Sequence, residues 1–333
     1  MLNSSRSPVS YNQTDQCLRF SCPERSVSAV YVLLYVCAAA VVLLTVCGNL
    51  LIIISVCHFK QLHTPTNMLI LSLAVSDCLV GALVLPIVLI WTIESCWVFN
   101  RGFCISFILT SYFLTSTSIY NVALIAVDRY FALSNPFLYT KAVSVITVCF
   151  VVLCDWFVLL LYNVALQYFT GNLRTVLTCP RDCFLLLDEV WSLVDLLVTF
   201  VFPCAVIIIF YTLVFIIAKK HATAIRELNA QTRTQTSKNM TDSMRSERKA
   251  AKVLGVLVSV FLACLFPYFI YSLLGNVVEI EADSFQKVLL LVYLNSTINP
   301  VIYALFYPWF RKCVRLTLTL QIFRTDSELI KVL

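Results

Sequence analysis

Apolar residues dominate the chain in seven long runs, separated from one another by shorter polar segments. The runs cover roughly 28–56, 66–91, 104–133, 143–167, 190–218, 250–278 and 285–307. Each is close to or above the ~20 residues that an α-helix needs to cross a bilayer. The pattern therefore predicts seven transmembrane helices, which we number spans 1 to 7 in chain order.

Composition supports the same fold class. Hydrophobic residues make up 60% of the chain and charged residues only 13%, a balance far from that of soluble globular domains. A water-soluble core does not explain seven apolar runs of this length. We predict an all-α membrane protein, a seven-transmembrane helix bundle followed by a short amphipathic eighth helix.

Basic residues predict the orientation of the bundle. About 17 of the 24 Lys and Arg lie near the helix ends that follow spans 1, 3, 5 and 7, and such residues accumulate on the cytoplasmic side. Segment 1–27 is then extracellular, and the net charge of +6 gives no indication of nucleic-acid binding. Asn3 and Asn12 begin glycosylation sequons on that segment. Asn239 and Asn295 match the motif on the wrong side or inside a span, so the sequons are supporting observations only.

Polar segments complete the predicted organisation around the transmembrane domain, residues 28–307. The cytoplasmic segment 219–249 is rich in Gln, Thr, Ser and basic residues, a flexible composition, into which spans 5 and 6 are expected to extend. Residues 308–333 are predicted to form a cytoplasmic amphipathic helix and tail. Cys313, on the apolar face of that helix, is a candidate for palmitoylation.

Acidic residues lie well inside four of the spans, at Asp77, Asp128, Asp155 and Asp195. An ionisable side chain at mid-span costs roughly 2.5–3.5 kcal/mol, so each one requires an explanation. Asp128 has its neighbour Arg129 as a partner, whereas the other three have no evident protein cation. We find no role for Asp155 in the sequence.

Short motifs close several spans in a fixed order. "DRY" at 128–130 closes span 3 and "NPVIY" at 299–303 closes span 7. Other motif residues that fall in order are Asn49 in "GNL", Asp77 in "LAVSD", Trp156, Pro203, and Pro267 in "CLFP". Together they resemble the rhodopsin-like (class A) G-protein-coupled receptors across all seven spans and the final helix. "NSTINPVIYALFYPWFRKC" at 295–313, with "ESCW" at 94–97, resembles the trace amine-associated receptors.

The resemblance implies a polar centre at Asp77. In this receptor class it joins residues that match Ser118, Asn295 and Asn299 to hold a sodium ion and waters. Carboxylate, hydroxyl and amide oxygens suit such a hard cation. A hydrogen-bond network without sodium is the alternative, and no other cofactor is expected.

The resemblance also implies a cytoplasmic switch. Arg129 resembles the arginine that contacts the G protein after activation, and Glu247 in "SERKAAK" matches the acid that holds it at rest. A surface salt bridge is the alternative for Glu247. Tyr211 and Tyr303 match the tyrosines that swing inward on activation in this class. The residues assigned to coupling and switching are Asp128, Arg129, Tyr130, Tyr211, Glu247 and Tyr303.

Disulfide bonds are expected only among the cysteines on the outer side, which are Cys17, Cys22, Cys96, Cys104, Cys179 and Cys183. The family pattern implies a bridge from Cys104 to Cys183. It implies a second bridge to Cys179 from the N-terminal segment, with Cys22 preferred over Cys17, although spacing does not decide between them. These bridges would fix the loop between spans 4 and 5 as a lid over the pocket.

The amine-binding carboxylate is not in its usual place. Most amine receptors of this class carry an aspartate 18 residues before the arginine of the DRY motif, a position that Ser111 occupies in this chain. Asp195 lies eight residues before Pro203, about 12 Å along span 5, at a level that faces the pocket in the family. Some trace amine-associated receptors, fish ones in particular, resemble this sequence in carrying the span-5 acid without the span-3 acid.

A ligand ammonium would neutralise Asp195 through a charge-assisted hydrogen bond. The alternative is a protonated Asp195 bonded to a neighbouring helix. Ring faces also attract alkylammonium groups, although each aromatic taken singly is compatible with helix packing. The other predicted pocket residues are Ser111, Tyr112, Thr115, Thr199, Tyr268, Phe269 and Tyr293.

Two further positions affect the predicted pocket. Asp188 precedes Asp195 by two helical turns and is a candidate for the second ammonium of a diamine, with a solvated acidic rim as the alternative. Leu265 replaces the tryptophan that many class A receptors carry two residues before the span-6 proline. This departure puts in doubt the usual account of activation, in which the ligand moves that tryptophan.

The predicted function is a plasma-membrane receptor for small alkylamines, either monoamines or diamines. The family implies coupling to a stimulatory heterotrimeric G protein, rising cyclic AMP and an olfactory role. No catalytic triad, metal cluster or phosphate loop is recognisable, so an enzyme is not expected. The alternatives are a class A receptor for a non-amine ligand, with a structural Asp195, and a cation transporter that uses the acids of the spans.

Overall fold

The computed structural model describes residues 28–170, 183, 189–231, 253, 255–271, 282–306 and 308–323. Most of these residues are helical, and none of them lies in a β-strand. The helices long and apolar enough to cross a membrane are Ala29–His58, Pro65–Glu94, Gly102–Ser134, Val145–Phe169, Val190–Lys220 and Gln286–Phe306. A shorter apolar helix, Gly255–Tyr271, lies within predicted span 6. The fold class is confirmed, and these six membrane-crossing segments begin and end within three residues of the predicted runs.

Polar residues just before the spans set several of the helix starts. Ser28, Thr64, Asn100 and Ser144 each accept a hydrogen bond at their side-chain oxygen from the backbone N–H three residues later, at 3.2, 3.3, 2.8 and 3.1 Å. Such N-caps satisfy amide groups that the first helical turn leaves without a partner. These caps explain why spans 1 to 4 begin where they do.

Span 3 lies at the centre of the bundle and contacts spans 2, 4 and 5. The apolar core on its inner face includes Val122 and Ile125, packed with Ile52, Leu73 and Phe261 of neighbouring spans. Large apolar side chains cover the outward faces of spans 1 and 4. Exposed faces of this kind are expected where a helix meets lipid.

Spans 1 and 7 approach each other closely at Gly48. A Cβ added there would lie 2.7 Å from Cβ of Pro300, so only glycine fits without displacement. On either side, Thr45 Oγ1 lies 2.6 Å from Thr297 Oγ1, and Asn49 Nδ2 donates to the Ser296 carbonyl at 3.1 Å. This contact fixes the part of span 7 that faces the bundle centre.

Spans 2 and 5 each contain a π-helical turn, at Val80–Val84 and Leu196–Val201. Such a turn is wider than the α-helix and breaks the regular hydrogen-bond pattern. In span 5, the carbonyl of Val198 accepts a hydrogen bond from the Tyr120 hydroxyl of span 3 at 2.9 Å. The turn begins directly after Asp195.

Outside the spans, the described residues form the 3₁₀ turns Lys60–Leu62 and Gln321–Phe323 and two α-helices, Pro136–Ala142 after span 3 and Pro308–Leu318 after span 7. The latter is the predicted amphipathic eighth helix, with Trp309 and Phe310 buried. The helix of span 5 continues to Gln231. The first part of predicted segment 219–249 is therefore helical, and the remainder lies outside the described residues.

Candidate functional site

Asp195 is buried on span 5, with only 8% of its surface exposed. Its Oδ1 atom accepts a hydrogen bond from the Tyr162 hydroxyl of span 4 at 3.2 Å. Thr199, one turn later, donates to the backbone carbonyl of Asp195 at 2.7 Å. In the described part of the chain, no Lys, Arg or His pairs with this carboxylate. Its protein contacts are neutral donors, which leave a negative charge uncompensated.

Tyrosines from three other spans surround the same space. The hydroxyls of Tyr112 on span 3 and Tyr268 on span 6 interact with each other, and both lie within electrostatic range of Asp195. Tyr293 on span 7 lies next to Tyr268. The structure thus brings together one carboxylate and three of the predicted aromatic residues at the end of the bundle that holds the Cys104–Cys183 bond, which we call the disulfide end.

Ser111, at the usual position of the amine-binding aspartate, is buried and donates to the Ile108 carbonyl of its own helix at 3.0 Å. Its hydroxyl and that of Thr115 also lie next to Tyr293. Span 3 therefore presents hydroxyl groups at this level. The carboxylate comes from span 5.

Phe269, the residue after Tyr268, stacks on Phe200 of span 5, with ring centroids 5.0 Å apart. Leu265, one turn earlier on span 6, is buried. It lines a small cavity of about 10 Å³ together with Thr115, Phe261 and Tyr293. This cavity lies between Tyr293 and two neighbours of the polar centre, Ser118 and Asn295.

Asp77 is fully buried at that polar centre. Its Oδ1 accepts hydrogen bonds from Ser118 at 3.2 Å and Ser296 at 2.8 Å, and its Oδ2 accepts one from Asn299 at 2.6 Å. Asn295 lines the cavity, and its buried Oδ1 has no hydrogen-bond partner within the described residues. A buried carboxylate, two hydroxyls and an unpaired amide oxygen fit the ligand preferences of sodium.

Asp128 and Arg129 form an ion pair at the opposite end of the bundle, which we call the DRY end. The guanidinium donates to Asp128 Oδ2 at 2.6 and 3.1 Å. The carboxylate also accepts hydrogen bonds from Thr66 at 2.8 Å and Tyr139 at 2.6 Å. Burial and the adjacent carboxylate raise the pKa of Tyr139 to about 12. Arg129 is therefore held by a carboxylate that other residues fix in place.

The remaining tyrosines of the predicted switch lie in helix contacts at the DRY end. Tyr130 packs edge-on against Phe210 of span 5, with ring centroids 5.3 Å apart. Tyr211 faces span 6, where a Cβ added to Gly255 would lie 3.2 Å from its ring. Tyr303 is buried within the core.

Cys104 at the start of span 3 is joined to Cys183 by a disulfide bond, with Cα atoms 5.7 Å apart. Cys96 is also disulfide-bonded, and its partner lies outside the described residues. The sequence placed Cys96 on the outer side without assigning it a bond. The predicted second bridge, from Cys22 or Cys17 to Cys179, falls outside the described residues.

Comparison with known proteins identifies the family of this chain. Residues 48–303 match the family described as 7 transmembrane receptor (rhodopsin family). Trace amine-associated receptor 13c of Danio rerio is 39% identical over 279 residues, 81% of each chain. Trace amine-associated receptor 4 of Rattus norvegicus is 34% identical over 317 residues, 92% of this chain and 91% of the relative. Trace amine-associated receptor 6 of Homo sapiens is 38% identical over 281 residues, 81% and 80% respectively. The chain belongs to the trace amine-associated receptors.

Membership of this family fixes the broad function. The protein is a multi-pass membrane receptor of the rhodopsin type, with a small-molecule ligand and a heterotrimeric G protein as its partners. The family is one of receptors and not of enzymes. The class predicted from the DRY and NPVIY motifs is confirmed.

Several predicted residues of the receptor lie outside the described part of the chain. They are the sequon residues Asn3 and Asn12, the switch acid Glu247 and the outer acid Asp188. Their roles stay predictions.

Cys313 is fully buried in the final helix, where its thiol lies next to Ser55 of span 1. Burial raises its pKa to about 11, and a buried thiol with a raised pKa is unreactive. Palmitoylation of Cys313 stays a prediction that requires the final helix to move away from span 1.

Four contact residues were missed by the sequence reasoning: Thr66, Tyr139, Tyr162 and Ser296. Ser296 lies three residues before Asn299 in a helix, on the same face, so helical spacing would have identified it. Tyr139 and Tyr162 belong to no motif, and only the fold brings them to Asp128 and Asp195. Asp155 keeps no assigned role: one of its carboxylate oxygens is buried without a hydrogen-bond partner in the described residues.

Proposed function

We propose that this receptor binds small alkylamines, with the ligand ammonium paired to Asp195. The observation that carries the proposal is the buried carboxylate, which has neutral donors but no cationic partner among the described residues. A buried carboxylate is costly unless a proton, an ion or a ligand compensates its charge. The names of the relatives, trace amine-associated receptors, favour a ligand amine as that partner.

The tyrosines suit the remainder of an alkylammonium. Each hydroxyl of Tyr112 and Tyr268 can accept an N–H hydrogen bond. Their ring faces attract a cation by about 0.5–2 kcal/mol. The buried Tyr293 and the stacked pair of Phe200 and Phe269 offer apolar surface for a short alkyl chain. A second ammonium would be expected to reach Asp188, so both monoamines and diamines are proposed.

Signalling through a stimulatory G protein to cyclic AMP, an olfactory role and a plasma-membrane location are also proposed on family grounds. The distribution of Lys and Arg supports an extracellular N-terminus. Under this topology, the disulfide end faces outward and Arg129 faces the G protein. We further propose that a sodium ion is held by Asp77, Ser118, Asn295 and Asn299.

The test is cyclic AMP in cells that express the wild type or Asp195→Asn, exposed to n-pentylamine, 1,5-diaminopentane and spermidine. Asparagine keeps the shape but removes the charge, so we expect the half-maximal amine concentration to rise at least about 100-fold, as for removal of one partner of a buried charge pair. An N-terminal tag allows surface expression to be matched.

Asp155→Asn is the matched control, because it removes another span acid that does not line the tyrosine pocket. We expect it to respond to amines like the wild type. Ser111→Asp tests the other side of the pocket. Added to Asp195→Asn, it places a carboxylate on span 3 and should restore part of the amine response that Asp195→Asn loses. An undiminished response of Asp195→Asn alone would rule out the proposed pairing.

A further inference from the structure

Two tyrosines contact span 5 from its neighbours at the π-helical turn. The Tyr162 hydroxyl of span 4 donates to Asp195 Oδ1 at 3.2 Å, and the Tyr120 hydroxyl of span 3 donates to the Val198 carbonyl at 2.9 Å. The two tyrosines also lie within electrostatic range of each other. One hydroxyl therefore holds the carboxylate, and the other holds the backbone three residues later.

The backbone around Asp195 is restrained independently of its side chain. Thr199 donates to the Asp195 carbonyl, and Tyr120 fixes the following turn. The remaining freedom of Asp195 is rotation of its carboxylate, which the hydrogen bond from Tyr162 restricts. Because Asp195 is 8% exposed, water competes little for this bond, and a bond to an ionised acceptor is stronger than one between neutral groups.

We infer that Tyr162 is a positioning residue for ligand binding: it holds the Asp195 carboxylate in the orientation that the ligand ammonium meets. This inference rests on the proposed function, because it requires Asp195 to be the ammonium partner. Tyr162 reaches the carboxylate from span 4, while Tyr112 and Tyr268 approach it from spans 3 and 6. A carboxylate already held in place loses less conformational freedom when the ammonium binds.

The test measures amine binding without a G protein. A ligand that binds only the folded receptor raises its melting temperature, and the concentration dependence gives Kd. Purified full-length receptor is titrated with n-pentylamine and 1,5-diaminopentane. For Tyr162→Phe we expect an increase in Kd of about tenfold, the size of a lost hydrogen bond to a charged group.

Tyr31→Phe is the control, because its hydroxyl donates to Glu94 and to none of the residues around Asp195. It should lower the melting temperature without amine and leave Kd unchanged. The decisive variant is Tyr162→Phe combined with Asp195→Asn. If Tyr162 acts through Asp195, the double variant binds amine as weakly as Asp195→Asn alone. If Tyr162→Phe does not fold, Tyr162→Leu replaces it. It should show the same increase in Kd, because it also lacks the hydroxyl.

The outcomes separate the two claims. A wild-type Kd in Tyr162→Phe, together with weak binding by Asp195→Asn, overturns the role of Tyr162 and leaves the amine site intact. An equal loss from Tyr162→Phe with and without the Asp195 carboxylate also overturns it, since Tyr162 would then act through general structure. Full binding by Asp195→Asn overturns both claims.

Discussion

Asp128 shows how single side chains hold the DRY end in one arrangement. Thr66 and Tyr139 donate to its carboxylate, which in turn binds the guanidinium of Arg129. A pKa of about 12 keeps the Tyr139 hydroxyl protonated at neutral pH, so it remains a hydrogen-bond donor to Asp128. The short helix after span 3 is thereby connected to Arg129, the residue that we propose faces the G protein.

Removal of the Tyr139 hydroxyl should loosen this arrangement. We predict that Tyr139→Phe raises ligand-independent activity by about three- to tenfold, because it removes one hydrogen bond to a charged acceptor. The measurement is binding of a non-hydrolysable GTP analogue to membranes without amine. Tyr168→Phe, which alters an exposed tyrosine, is the control. Equal basal activity in all three receptors would show that Tyr139 does not stabilise the resting state.

Residue-level prediction from the sequence was best where charge and motif coincide. Asp77 and Asp195 were identified because a carboxylate in an apolar run is costly, and the family pattern supplied Ser118 and Asn299. Tyr162 was missed because a tyrosine in an apolar helix has no distinctive pattern. Its contact with Asp195 depends on how spans 4 and 5 pack, which the sequence of either span does not contain.

The contact between spans 1 and 7 is an element-scale feature that rests on a single glycine. Gly48 lets Pro300 approach so closely that a Cβ would lie 2.7 Å from its ring. Hydrogen bonds from Thr45 and Asn49 lie beside the contact. The "GNL" motif was recognised from the sequence, but its packing against the proline of "NPVIY" was not, because it joins residues on two distant helices.

A larger side chain at Gly48 should force these two spans apart. We predict that Gly48→Leu lowers the stability of the purified receptor by about 1–3 kcal/mol, as overpacking does in other tightly packed cores. Ala40→Leu is the control, because it enlarges an exposed position on the same span. The measurement is the melting temperature of each variant in the same detergent. A Gly48→Leu receptor as stable as Ala40→Leu would contradict the packing argument.

The whole molecule places two buried carboxylates at different depths of one bundle. Asp195 lies near the disulfide end and Asp77 at the polar centre, and the small cavity lined by Leu265 lies between Tyr293 and Asn295. The seven-helix fold could be predicted from apolar run lengths alone. The cavity could not, because it depends on which side chains from spans 2, 3, 6 and 7 meet inside the bundle.

Proximity through this cavity predicts coupling between sodium and amine. We expect 100 mM sodium chloride to weaken amine binding about fivefold relative to equal potassium chloride, within the usual range for coupled sites. In Asp77→Asn the two salts should act alike, since the carboxylate that selects the ion is gone. The measurement is the amine Kd in each salt. A sodium effect that persists in Asp77→Asn would place the ion elsewhere.

The central claim is that the Asp195 carboxylate binds the ligand ammonium. Its most direct test is equilibrium binding of radiolabelled n-pentylamine to equal amounts of purified wild-type and Asp195→Asn receptor, with Asp155→Asn as the control. The account predicts saturable binding to the wild type and to Asp155→Asn, and at least about 100-fold weaker binding to Asp195→Asn. Equal affinity in all three receptors would contradict it, because the amine would then bind as tightly without the Asp195 carboxylate as with it.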